Sequence, residues 1–293
     1  MDRNSSIINL GDLSKPATVL IEKISDAVGG LFKPFQIIRV AKAEAEAEHI
    51  RAESKIQISD LQRRAFYRFL EEEAKKQKNI EEITRQALPQ LHDNSRPEAV
   101  EDDWIINFFD KCRLISDPQM QSLWSRVLAG EADSPGSYSK RTVNFLCSLD
   151  KYEADLFTKL CRFVWIIRDP TPLIYDHQAE IYDKHKITFK TLKHLDSIGL
   201  IQFEGLLGIK RTGFPKIFAV DYYGTPTFLE FQNESDNAIN LGQVLLTRIG
   251  QELFPICGSS SVPEFRKYIL QKWREMGYII KEETEQTTPA DSR

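Results

Sequence analysis

The sequence predicts a mainly α-helical protein that ends in an α+β module resembling a winged helix. Three observations lead to this fold class: a proline- and glycine-free run of helix formers, four short segments with helical apolar spacing, and alternating segments typical of strands. The domains are predicted as an amphipathic segment at 1–34, a long charged helix with linker at 35–97, a helical bundle at 98–170, the α+β module at 171–281 and a disordered tail at 282–293.

The composition indicates a soluble globular chain. Of its 293 residues 41% are hydrophobic and 28% are charged, and the formal net charge of −4 gives no global attraction to nucleic acid. The four cysteines show no C-x-x-C spacing, so they predict neither a zinc ribbon nor a disulfide framework. The N-terminal apolar segment carries too many charges for a signal core or a membrane-spanning helix. We expect a cytoplasmic protein, with the inner face of the membrane as an alternative, peripheral location.

The N-terminal segment is predicted to form an amphipathic helix. Ser14 can cap its start, and Pro34 predicts a break at residues 29–33. At about 100° per residue the charged side chains form a narrow stripe, opposite one wide apolar face. That face consists of Leu13, Ala17, Leu20, Ile24, Val28, Leu31 and Phe35. Its partner is its own domain, a membrane surface or a sister subunit, and we interpret these residues as a membrane or oligomer contact.

A long helix is predicted from Phe35 to about Leu88. It contains strong helix formers, but apolar positions such as Leu61, Ala65 and Phe69 do not keep a strict heptad. This pattern favours a stalk or coiled coil and predicts a homo-oligomer of undefined order. Within the helix, RRAFYRF at 63–69 is typical of a nucleic-acid contact or of a solvated face with i,i+4 ion pairs, and the following EEE favours the solvated face.

Four short helices are predicted for the central bundle. Asp117 followed by Pro118 is a helix start, and Asp150 with Glu153 forms a D-x-x-E capping box for the fourth helix. The run DPQMQSLWSRVLAGEADSPGSYSKRT contains L-W-x-x-x-L-A-G-E followed by P-G-x-x-S-x-R-T. It resembles the bacterial domain-of-unknown-function family 2806, and the resemblance extends over residues 10–170 and more loosely beyond. The resemblance implies no particular activity, and within the motif Ser139 can cap a helix.

A fainter similarity connects LTRIGQEL, residues 246–253, with the Abi-alpha family of abortive-infection proteins. It implies phage defence as an association only.

The C-terminal module is predicted to contain a helix that ends at Gly199, a β-hairpin through Gly224, and helices that begin at Thr247 and Pro263. A recognition helix followed by a wing would present basic residues to nucleic acid. The candidate contacts are Lys190, Lys193, Lys210 and Arg211. A protein-docking module is the alternative for the same elements.

Sequence motifs for catalysis are weak. Asp221 and Glu230 on adjacent strands resemble the paired carboxylates of metal-dependent nucleases, whereas the usual hydrolase, metalloprotease and nucleotide-binding motifs do not occur. We therefore expect no metal, no cofactor and no catalytic residues. The favoured function is a membrane-associated or self-assembling scaffold in phage defence, and the alternative is a DNA-binding or partner-docking regulator.

Overall fold

The computed structural model describes residues 13–28, 60–205 and 208–281, which form two compact units with a boundary between Ser148 and Leu149. The predictions for Leu31, Phe35, the break before Pro34, the first part of the long helix and the tail at 282–293 lie outside the described residues. The fold is mixed α+β, with more helix than strand. Across the described ranges, no helix is both long and apolar enough to span a membrane.

The first unit is helical. Its helices are α1 (Lys15–Val28), α2 (Asp60–Ala87), α3 (Asp102–Cys112), α4 (Pro118–Asp133) and α5 (Lys140–Ser148), with short 3₁₀ helices at Leu88–Gln90 and Pro97–Ala99. The predicted start of α4 is confirmed, because the Asp117 carboxylate accepts hydrogen bonds from the backbone N–H groups of Gln119 and Met120. Ser14 likewise accepts from the N–H of Ala17 at 3.3 Å at the start of α1.

Aromatic side chains from α3 and α4 form the centre of this core. Trp104 and Phe108 stack with ring centroids 5.0 Å apart, and Phe108 meets Trp124 edge-on at 5.1 Å. The Trp104 indole N–H donates to the carbonyl of Tyr138 at 2.6 Å, so its one polar atom is satisfied. This packing fixes the turn before α5 against α3.

Helix α1 packs on its own unit, against α3 and the Pro97–Ala99 turn. Ala17, Leu20 and Ile24 are buried there, and Lys23 reaches Asp102 at 3.0 Å. The assignment of these three apolar residues to a membrane or sister-subunit contact is therefore corrected, because the core of the unit removes their surface from solvent. Of the other residues on that face, Leu13 is half-buried and Val28 is 37% exposed.

The second unit is mixed α+β. It contains α6 (Lys151–Cys161), β1 (Val164–Ile167), β2 (Asp169–Pro172), α7 (Glu180–Asp183), α8 (Phe189–Ser197), β3 (Ile201–Phe203), β4 (Ile209–Phe214), β5 (Ile217–Tyr222), β6 (Thr225–Glu230), β7 (Asn237–Gly242), β8 (Val244–Leu246), α9 (Arg248–Leu253), α10 (Pro263–Glu275) and β9 (Ile279–Lys281). The predicted β5–β6 hairpin is confirmed, and its turn residues Tyr223 and Gly224 both have positive φ, at 51° and 79°.

One antiparallel sheet has the strand order β2-β1-β5-β6-β9, and two separate ribbons pair β3 with β8 and β4 with β7. Trp165 of β1 stacks on Tyr222 of β5 at 5.0 Å and meets Trp273 of α10 at 4.8 Å. The sheet and α10 therefore share one aromatic core.

The predicted boundary at residue 170 is corrected, because α6 belongs to the second unit. Its capping box at Asp150 and Glu153 is confirmed, but its buried face packs toward α8, where Glu153 Oε1 lies 3.0 Å from His194 Nε2. The strand after α8 also differs from a simple wing: β3 pairs with the distant β8, and β4 pairs with β7. The sequence after Gly199 alone could not show this pairing.

Candidate interaction surface

Helix α2 is buried at one end and exposed at the other. At its C-terminal end Ile80, Ile83, Thr84 and Ala87 are buried, and the helix packs on α4. By contrast, every residue from 60 to 75 is exposed. At about 1.5 Å per residue, this exposed segment, residues 60–75, is about 24 Å long.

The composition and the ion pairs of the exposed segment favour a helix. It contains neither proline nor glycine, and intrahelical ion pairs join Arg63 to Asp60 at 3.0 Å and Arg68 to Glu72 at 3.5 Å. The prediction that RRAFYRF carries i,i+4 pairs is thus confirmed for Arg68. Exposed pairs of this kind contribute only about 0.3–0.5 kcal/mol each, so they do not replace tertiary packing.

The same segment carries five large apolar side chains that face solvent. Their exposed fractions are 68% for Leu61, 46% for Phe66, 61% for Tyr67, 56% for Phe69 and 46% for Leu70. Phe66, Phe69 and Leu70 are separated by three or four positions and are therefore neighbours on the helix surface, and exposed apolar side chains grouped in this way are typical of a protein interaction site.

The exposed apolar face continues the buried one. Phe69 precedes Ile80 by eleven residues, which at about 100° per residue places the two side chains within roughly 20° of each other around the helix. A single row with alternating spacings of four and three runs through Gln62, Phe66, Phe69, Glu73, Lys76, Ile80, Ile83 and Ala87. We call this row the α2 seam. Its C-terminal third packs on α4, and its N-terminal part has the same geometry in an exposed position.

The L-W-x-x-x-L-A-G-E motif of α4 and the P-G-x-x-S-x-R-T motif that follows it have a structural role. Glu131 is buried, its Oε1 accepts from the N–H of Gly136 at 2.7 Å, and its Oε2 accepts from the N–H of Tyr138 at 2.8 Å. Gly130 is required beside this turn, because a Cβ there would lie 2.7 Å from the Tyr138 ring. Ser139 accepts from the N–H of Thr142 at 3.3 Å and caps α5 as predicted. These contacts hold the turn between two helices.

The LTRIGQEL segment also has a structural explanation. Thr247 accepts from the N–H of Gly250 at 3.2 Å and so begins α9 as predicted, and Leu253 is buried. A Cβ on Gly250 would lie 2.2 Å from the carbonyl oxygen of Leu200, so only glycine fits at this position. Helix capping and close packing therefore account for the residues that suggested the abortive-infection family.

The basic residues predicted to contact nucleic acid lie on different elements of the second unit. Lys190 and Lys193 are on α8, whereas Lys210 and Arg211 are on β4. Arg211 Nη1 pairs with Asp169 at 2.9 Å, and Lys193 lies 3.4 Å from Asp196 and over the Phe203 ring. Two of the four charges are thus engaged within the unit.

The structure separates the two acids that suggested a nuclease. Asp221 opposes Pro226 and Glu230 opposes Ile217, so the carboxylates stand four register positions apart, or about 13 Å along the hairpin. Asp221 accepts from the turn N–H of Gly224, and Lys281 lowers the pKa of Glu230 through a hydrogen bond and ion pair at 2.8 Å. They cannot share one Mg²⁺ ion. Within the described ranges, no three His, Cys, Asp or Glu side chains come together as a metal site.

Each unit contains a surface cleft. In the first unit a groove of about 720 Å³ lies beside the base of the exposed segment, where Lys75, Lys78 and Arg113 face Glu72 and Glu82.

In the second unit a cleft of about 470 Å³ is bordered by Lys184, His185, Glu264 and Tyr268. The pKa of His185 is lowered, first by its partial burial and then by the charge of Arg162, whose Nη1 lies 3.2 Å from His185 Nδ1.

Sequence reasoning did not single out Phe66 and Phe69. It interpreted their segment as a solvated face, because three of the eight seam positions are the polar residues Gln62, Glu73 and Lys76. The signal that could have identified them is the four-three spacing that connects them to Ile80 and Ile83.

Comparison with known proteins identifies a family to which the sequence matches. The family described as "Protein of unknown function (DUF2806)" matches residues 63–270, which is more than half of the chain. No curated protein and no solved structure matches the chain. The matched range includes most of the exposed segment, the Glu131 turn and the first part of α10. This chain therefore belongs to the DUF2806 family.

Proposed function

We propose that this protein is a non-enzymatic, self-assembling scaffold whose copies associate through the exposed segment of α2. The observation that carries the proposal is the set of five exposed apolar side chains on a helical segment in which every residue from 60 to 75 is exposed. Helices of this length are marginal in water without packing, since most helical stability in proteins comes from a buried apolar face. A partner would supply that packing.

The free energy available from burying these apolar side chains is compatible with association. Phe66, Phe69 and Leu70 are 46%, 56% and 46% exposed. At roughly 200 Å² per large side chain, they present about 300 Å² of apolar area per copy. Covering about 600 Å² on two copies contributes at most about 15 kcal/mol at about 25 cal/mol per Å². Association costs about 4–15 kcal/mol, so these contacts support a reversible complex rather than an obligate one.

The structure gives less support to the alternatives. A membrane contact through α1 would require Leu20 and Ile24 to leave the core of the first unit. DNA binding would use Lys193 and Arg211, which already pair with Asp196 and Asp169. Association through the exposed segment requires neither a change in the core of the first unit nor the loss of these ion pairs.

Sedimentation velocity of the full-length protein tests the proposal. The wild type is expected to sediment as an oligomer, and a double variant with Phe66→Glu and Phe69→Glu is expected to sediment as the 33.8 kDa monomer. Two charged side chains would make the seam unfavourable to bury, because an unpaired carboxylate in an interface is strongly destabilising.

A matched control replaces two exposed apolar residues elsewhere. Ile106 is 49% exposed and Tyr152 is 67% exposed, so Ile106→Glu with Tyr152→Glu adds the same charge away from the exposed segment. This control should keep the wild-type mass. A monomeric wild type, or a Phe66/Phe69 variant that keeps the wild-type mass, would contradict the proposal.

A further inference from the structure

Two of the four cysteines lie side by side in the second unit. Cys161 is the last residue of α6 and is fully buried, whereas Cys257 follows the short 3₁₀ helix Phe254–Ile256 and is partly exposed. The Cys257 thiol donates to the carbonyl of Phe254 at 3.1 Å, and its sulfur is in hydrogen-bond contact with the Cys161 thiol. Both cysteines are in the thiol form. About 100 residues separate them in the sequence, so no C-x-x-C spacing indicates this pair.

Hydrogen bonds hold the segment that contains Cys257 against the end of α6. The hydroxyl of Thr158, one helical turn before Cys161, donates to the carbonyl of Cys257 at 3.0 Å. The Tyr223 hydroxyl donates to the carbonyl of Cys161 at 2.9 Å and lies 2.6 Å from Oγ of Ser259, so it bridges the two segments. These contacts fix the backbone beside both thiols, and the two sulfur atoms are therefore held next to each other by the fold.

The two thiols differ in their access to solvent. Burial, and then the hydrogen bond with Cys257, raise the pKa of Cys161 well above its usual range, so Cys161 keeps its proton at neutral pH. A buried, protonated thiol is inert toward a dissolved oxidant. Cys257 is the partly exposed member of the pair, so an oxidant that diffuses to this site reaches Cys257 first.

Metal binding is not the chemistry that this pair favours. Protein sites for zinc use three or four ligands. Among the residues that the structure describes, no third His, Cys, Asp or Glu side chain completes such a group. Oxidation to a disulfide, by contrast, requires only two thiols in contact.

We propose that Cys161 and Cys257 are a redox-sensitive thiol pair, which hydrogen peroxide closes to an intrachain disulfide. The Cys257 sulfur attacks one peroxide oxygen: an S–O bond forms, the O–O bond breaks, and water leaves with the Cys257 proton. The Cys161 sulfur then attacks the sulfur of the resulting sulfenic acid: the S–S bond forms, the S–O bond breaks, and a second water leaves with the Cys161 proton. Two electrons pass from the thiols to the peroxide. This inference does not depend on association through the exposed segment.

Peptide mapping of the oxidised full-length protein tests the proposal. A Cys147→Ser chain is used as the parent, because Cys147 is exposed and can form disulfides between copies. After peroxide treatment the remaining thiols are alkylated with iodoacetamide in urea, and the chain is digested and analysed by mass spectrometry without reductant. We expect a disulfide-linked pair of peptides that contain Cys161 and Cys257, and a monomeric band on a non-reducing gel. Cys112, which is fully buried in the first unit, should be recovered as an alkylated thiol.

Two variants of the parent chain separate the two steps. In Cys161→Ala the sulfenic acid of Cys257 has no thiol to resolve it, so dimedone should label Cys257 roughly tenfold more than in the parent chain. In Cys257→Ser the first step is removed, so Cys161 should be recovered as an alkylated thiol after the same treatment.

Recovery of Cys161 as an alkylated thiol from the peroxide-treated parent chain would overturn the proposal, whatever the state of Cys257. A disulfide that joins Cys257 to Cys112 or to a second copy would overturn it as well. Both results are read from the parent chain, so they do not depend on how well the two variants fold. The sedimentation mass that tests the proposed function does not enter this outcome, so the two proposals fail separately.

Discussion

Replacing Glu131 by Gln tests whether the turn between α4 and α5 holds the fold of the first unit together. The carboxylate is 3% exposed and accepts one backbone N–H on each oxygen, from Gly136 at 2.7 Å and from Tyr138 at 2.8 Å. A glutamine has one acceptor oxygen, and its amide group would face the second N–H as another donor. One charge-assisted hydrogen bond of about 1.5–3 kcal/mol is lost, and one buried donor is left unpaired. We expect the free energy of unfolding to fall by about 2–4 kcal/mol.

The assay is urea unfolding followed by far-ultraviolet circular dichroism, with Glu98→Gln as a control, because Glu98 is exposed on the turn at Pro97–Ala99. The control should remain within about 0.5 kcal/mol of the wild type. If Glu131→Gln also changed stability by less than about 0.5 kcal/mol, the argument that this motif is structural would be refuted.

The remaining predictions concern α1 and the second unit. Leu20→Ala should lower the free energy of unfolding by about 2–5 kcal/mol, because Leu20 is fully buried, and it should not alter liposome flotation. A loss of flotation with unchanged stability would show instead that Leu20 contacts lipid. Because the pKa of His185 is lowered in the folded state, the unfolded state binds the proton first as the pH falls below about 6.5, and the free energy of unfolding decreases. His185→Gln should make this decrease smaller in urea titrations at two pH values. A decrease as large as that of the wild type would disprove the role of His185.

Features that depend on adjacent residues could be predicted from the sequence. The caps at Asp117, Asp150 and Thr247 and the hairpin turn at Gly224 all appear where their residue types placed them. Their hydrogen bonds join residues at most three positions apart, so the information is local.

Features that depend on distant partners could not be predicted. The apolar stripes of α1 and α6 show that each helix buries one face, but the stripes contain no information about what covers it. Leu20 proved to be covered by the first unit, and Leu156 by the second. The pairing of β3 with β8 joins residues such as Ile201 and Leu246, and their sequence separation leaves many alternative pairings.

Phe66 and Phe69 could not be singled out from the sequence for a related reason. Phe66 and Phe69 occupy a helix face that the sequence shows as mixed, because charged residues surround them. Only the burial of Ile80 and Ile83 identifies that face as the packing side of the helix. The same face is exposed at residues 60–75, toward the N-terminal end of the helix.

Amide hydrogen exchange of the exposed segment at several protein concentrations tests the central claim most directly. If residues 60–75 associate with a second copy, their protection should be high in concentrated protein and should fall on dilution, while the amides of α4 remain protected throughout. Rapid exchange at every concentration would show that nothing covers the segment. Protection that does not change on dilution would show that the chain covers it by itself.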